Sequence, residues 1–241
     1  MQNRCKKRFP AELAYLLGLA VLALGVSLME RADFGVSMVV APAYLVYRRL
    51  SLILPWFSFG MAEYSLQAVL LVGLCLLLRR FRLSYLCSFL TAVLYGFLLD
   101  GSMLLVALLP GSGIVSRLVC YLAGMLLCSV GVSLIFHTYV APEVYELFVK
   151  EVSRKLGMEI SRFKTRYDCV SCLAGVVLSF LFFGFGHFVG VRWGTILCAL
   201  INGRLIGLCS RYLEARFTFP DALPWRPFFE DVPTAADTED R

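Results

Sequence analysis

Charge is scarce in this chain. Asp, Glu, Lys and Arg together make up 17% of its 241 residues, against about 25% in an ordinary soluble domain. A water-soluble fold with so few charges is excluded, and the solvent for most of the chain is expected to be lipid. Histidine is scarcer still, with two residues. His137 and His187 fall in segments assigned to opposite membrane faces, which argues against a shared metal. Cys169-x-x-Cys172 lacks the second cysteine pair or histidine pair that a four-ligand zinc site needs. No phosphate loop, Ser/His/Asp order or paired-carboxylate glycosidase pattern is present. The expectation is therefore a protein that is not an enzyme and carries no cofactor.

What is present is apolar. Hydrophobic residues reach 59% and the mean hydropathy is +0.77. The nine cysteines are odd in number and mostly lie inside apolar runs, where cysteine packs as a small hydrophobe. The net charge of +6 does not point to nucleic acid, because the basic residues form short clusters between apolar runs, as membrane topology requires.

About 20 apolar residues are needed to cross the hydrocarbon core. Six segments qualify: Ala11–Met29, Phe59–Leu78, Leu83–Leu109, Val115–Phe136, Asp168–Phe185 and Trp193–Leu213. Helices are expected, since every backbone amide in lipid must find an internal partner. The first run follows a basic stretch, as in a signal peptide, but it is too long for one and is read as a retained span. Asp100-Gly101-Ser102 interrupts the third run and is expected to break that helix, leaving 101–109 re-entrant or interfacial.

Gly25-Val26-Ser27-Leu28 returns as Gly131-Val132-Ser133-Leu134, and Val40-Ala41-Pro42 is echoed by Val140-Ala141-Pro142. Pro110-Gly111-Ser112-Gly113 divides the two halves. The fold class is thus an all-α polytopic membrane protein. Residues 1–10 form a basic cytoplasmic start, 11–110 the first repeat, 114–213 the second, and 214–241 a cytoplasmic tail. With three spans per half the repeats are inverted, as in many secondary transporters. Most Lys and Arg residues fall on one side if both termini are cytoplasmic. Segment 35–47 is apolar but too short to span, and is expected to be re-entrant or interfacial. Segment 142–156 has helical apolar spacing and is expected as an amphipathic helix on the cytoplasmic surface.

Gly25-Val26-Ser27-Leu28-x-x-x-Ala32-Asp33-Phe34-Gly35-Val36-Ser37 resembles the YczE/YyaS/YitT-type bacterial integral membrane proteins, a largely uncharacterised family. Leu94-Tyr95-Gly96-x-x-x-Asp100 and Gly194-Thr195-x-x-x-x-x-x-Asn202-Gly203 add to it. The resemblance covers about Ala11 to Leu213. It implies a transporter-like protein of the bacterial cytoplasmic membrane and brings no catalytic residues.

Polar groups within spans are functional candidates. Glu63 and Asp168 begin equivalent spans and suit a cation, a proton or a cationic substrate, or else cap their helices. Asp100, Asn202 and Arg204 lie near the glycines of the third and sixth spans. Asp100 either belongs to a substrate or ion site or pairs with Arg204. Gly203-x-x-x-Gly207 is a helix-packing motif. The leading expectation is a permease for a small solute or ion. The alternative is a non-transporting membrane anchor or accessory partner, with the chain itself or another membrane protein as the assembly partner. Nucleic acid is not expected as a partner.

Overall fold

The computed structural model describes residues 7–79, 81, 83–110, 113–158, 160–184 and 192–224. Six described helices are long and apolar enough to cross a membrane: α1 (Ala11–Ala32), α3 (Phe59–Leu78), α4 (Leu83–Ala107), α5 (Ile114–Phe136), α7 (Ile160–Phe183) and α8 (Trp193–Arg216). Two shorter helices complete the bundle, α2 (Ala41–Leu50) and α6 (Val144–Lys155). The fold is all-α and polytopic. Large apolar side chains are exposed around it, among them Leu76, Leu104, Leu108 and Leu181, as a lipid-facing surface requires.

The repeated stretch builds the centre. Gly25 of α1 meets Gly124 of α5, and Gly18 meets Gly131. The two helices therefore run antiparallel, and the two Gly-Val-Ser-Leu copies point in opposite directions. A Cβ on Gly25 would lie 2.8 Å from the Gly124 carbonyl oxygen, and one on Gly124 would lie 2.7 Å from that of Gly25. Only glycine allows this approach of backbones. The repeated serines stay local to the packing: Ser27 Oγ donates to Ala23 O and Ser133 Oγ to Ile206 O, each at 3.0 Å. The remaining contacts are reciprocal too. α1 packs on α4 as α5 packs on α8, and both short helices pack on α3 and α7.

Two expectations are corrected. The third span does not break at Asp100-Gly101-Ser102, because α4 runs unbroken through it to Ala107. Asp100 finds its partners on a neighbouring helix, and Gly101 faces open space. The amphipathic segment forms α6 but does not lay its apolar face on lipid. Val144, Leu147 and Val152 are buried with Leu71, Leu74, Tyr85 and Ala92 of α3 and α4. The segment at 35–47, too short to span, is a loop followed by α2, whose first half, Ala41 to Leu45, is buried.

Both chain ends of the bundle lie on one face. β1 (Lys7–Arg8) pairs in parallel with β2 (Phe217–Thr218), and Glu12 accepts from the backbone N–H groups of Ala222 and Leu223. The start of the tail is therefore docked. His187, Trp225, Phe228, Phe229 and the stretch 235–241 lie outside the described residues.

Candidate functional site

The two short helices start inside the bundle, and α6 shows why. Gln67 is the ninth of the 20 residues of α3, so it stands near mid-span. Its Oε1 accepts from the backbone N–H of Val144 at 3.0 Å, and its Nε2 donates to Glu143 Oε2 at 3.3 Å. One fully buried amide thus satisfies a free N–H at the start of α6 and holds the carboxylate that precedes it. On the other side, the loop before α2 is pinned to the start of α8. Gly194 N donates to Phe34 O at 2.9 Å and Thr195 Oγ1 to Val36 O at 2.8 Å. Gly35 sits at φ 111° against Thr195, a backbone that disfavours any side chain.

Between these half-buried helices lies a cavity of about 70 Å3. Apolar side chains of α1 and α5 form much of its wall, including Leu22, Val26, Val132 and Ile135. The polar side comes from Ser37, Tyr95, Glu143, Tyr145, Glu146, Lys164, Asp168 and Asn202. Lys164 Nζ and Glu146 Oε1 form an ion pair at 2.5 Å. Asp168 follows Lys164 by one helical turn. Asn202 Oδ1 accepts from Ser129 Oγ at 3.0 Å.

Several of these groups are unsatisfied. Among the described residues, Glu143 Oε1, the Tyr145 hydroxyl, Asp168 Oδ1 and both carboxyl oxygens of Glu63 are buried without a well-formed hydrogen bond. Glu63 is fully buried on α3, one turn before Gln67, beside Glu143 and Tyr145. The cluster holds the four carboxyl groups of Glu63, Glu143, Glu146 and Asp168 against the single ammonium of Lys164. Burial pushes the Glu143 carboxyl up to about 8, and neighbouring Glu146 adds to this. The Gln67 hydrogen bond and Lys164 oppose it. Burial, with Glu63 alongside, raises the Tyr145 hydroxyl well above its usual range. Such a site prefers to receive a proton or another positive charge.

The structure thus brings Glu63, Asp168 and Asn202 to one region, Glu63 just behind the wall and the other two on it. Asp100 stands elsewhere. Its Oδ1 accepts from Gly60 N at 2.8 Å and its Oδ2 from Ser58 Oγ at 2.6 Å, so it anchors the start of α3. Arg204 is exposed on the outer side of α8 and does not meet Asp100. Sequence reasoning did not single out Gln67, Glu143, Tyr145, Glu146 or Lys164 as site residues. One signal was available: Gln67 follows Glu63 by four residues, which puts both on one helical face.

No curated protein and no solved structure matches the chain. A family model does match it over residues 9–211, from the approach to α1 almost to the end of α8. The chain therefore belongs to the family of unknown function DUF6198.

Proposed function

We propose that the protein is a permease for a small, positively charged solute, held in the chamber between α1, α5, α6, α7 and α8. One observation carries this reading: buried carboxyl oxygens of Glu143 and Asp168, without a hydrogen-bond partner among the described residues, border a cavity inside a membrane bundle. Leaving such groups unsatisfied is costly unless a ligand or water completes them. The excess of carboxyl groups over ammonium selects a cation. The volume admits a solute of a few heavy atoms, the space of roughly five waters at about 10–15 Å3 each. Among the described residues, no three or more His, Cys, Asp or Glu side chains are grouped so as to hold a metal ion; a compact organic cation or a proton fits the chamber.

The antiparallel repeats suggest how access would alternate. Each half would contribute one short helix that starts at the chamber, and rocking of one half against the other would open it to either face. In this reading both termini are cytoplasmic and the membrane is the bacterial cytoplasmic membrane. That agrees with the YczE/YyaS/YitT-type resemblance and with the distribution of basic residues.

A thermal-shift screen of the purified protein tests the binding step. Guanidinium, methylammonium, choline, sodium and potassium chlorides would be compared at constant ionic strength. At least one cation should raise the Tm of the wild type, because a ligand that binds only the folded state stabilises it. The same cation should lose its effect in Glu143→Gln combined with Asp168→Asn. If every cation shifts both proteins equally, the chamber is not a cation site.

A further inference from the structure

Arg204 stands mid-span and faces away from the protein. Trp193 and Tyr212, both exposed on α8, suit the two membrane interfaces. The helix from Trp193 to Tyr212 rises about 28 Å at about 1.5 Å per residue step, close to the roughly 30 Å hydrocarbon thickness. Arg204 then lies about 16 Å from one boundary and about 12 Å from the other. Its guanidinium is always charged, and a snorkelling stem covers only part of either distance. It is exposed and makes no hydrogen bond or ion pair with any described residue.

The surface around it is shaped for close approach. Gly203 and Gly207 flank Arg204, and a Cβ on either would meet nothing within 4 Å. Leu200 and Leu208 extend the same exposed face. Two glycines four residues apart allow another helix to come near the backbone, and the arginine between them requires a negative partner at that depth. A second copy of this chain does not supply one. Both copies share one orientation in a membrane, so α8 against α8 would set Arg204 beside Arg204 in a low-dielectric medium. Among the described residues, no carboxylate is exposed at mid-depth: Glu63 is buried, Asp168 borders the chamber and Asp100 holds α3. Lipid headgroups lie at the boundaries.

We infer that the α8 face centred on Gly203, Arg204 and Gly207 is a docking surface for a transmembrane helix of another protein that carries an aspartate or glutamate at the same depth. The interaction is separate from the chamber, since Asn202 turns inward where Arg204 turns outward.

The test uses the full chain fused to a fluorescent protein and reconstituted in phosphatidylcholine vesicles. Span-length leucine–alanine peptides with a central Glu or a central Leu carry the energy-transfer acceptor. The Glu peptide should show saturable transfer with an apparent affinity roughly tenfold tighter than the Leu peptide. Arg204→Leu should remove that preference, Arg204→Lys should keep part of it, and Gly207→Leu should weaken binding by excluding the peptide. Thermal unfolding of each variant checks that the fold persists. Equal binding of the two peptides overturns the inference, as does a Glu preference that survives in Arg204→Leu. Arg204-dependent transfer between two labelled copies of the chain overturns it as well, because the occupant is then a second copy.

Discussion

Replacing Glu143 by Gln should change how stability depends on pH. The ordinary value for this carboxyl is 4.5, and in the folded protein it is pushed up to about 8. Below 4.5 it is protonated in both states and has no effect on the balance. Between 4.5 and 8 the unfolded chain releases the proton while the folded protein keeps it, so stability falls as pH rises. Each pH unit in that window costs about 1.4 kcal/mol, or about 5 kcal/mol in all, and above 8 the loss is complete. Glutamine keeps the shape, remains able to accept from Gln67 and does not titrate. The assay is thermal unfolding in detergent from pH 5 to 9 for wild type and Glu143→Gln, with other titrating groups common to both. The difference in Tm should widen with pH in favour of the variant and then level off near pH 8. Parallel curves would refute the buried, proton-holding environment assigned to Glu143.

Three further outcomes follow from packing and hydrogen bonding. Gln67→Leu strands the Val144 N–H and Glu143 Oε2, so it should cost about 1–3 kcal/mol for each group, read as a lowered Tm. Gly25→Ala forces a Cβ into the α5 backbone and should lose about 1–3 kcal/mol, whereas Gly73→Ala, which meets nothing, should not. Asp100→Ala should cost about 1–2 kcal/mol through the start of α3 and leave the cation-induced thermal shift unchanged.

The spans were legible because lipid imposes one demand along their whole length. The repeat was legible because its glycines recur where two backbones must nearly touch. Other features were hidden for definite reasons. An amphipathic pattern reports that one face is apolar but not whether lipid or protein covers it, so α6 reads as a surface helix although it packs on α3 and α4. Asp100 and Gly101 are helix breakers by composition. The α4 helix runs through them because Ser58 and Gly60, some forty residues earlier, take up the carboxylate. Asn202 and Arg204 look equivalent in sequence. In an evenly apolar helix nothing local says which face is inward, yet two residues of separation turn one toward the chamber and the other toward lipid. Glu143 gained its meaning only from Gln67, which is remote in sequence.

The claim that the chamber passes a cation is tested most directly by counterflow. Protein in vesicles would be preloaded with the unlabelled cation selected by thermal shift, and uptake of the labelled cation followed without any imposed gradient of charge. The account predicts transient accumulation of label in wild-type vesicles. It predicts loss of that accumulation in Glu63→Gln, Glu143→Gln and Asp168→Asn combined, and retention in Arg204→Leu. Equal accumulation with and without the three carboxyl groups, or none in wild-type vesicles that bind the cation, would contradict it.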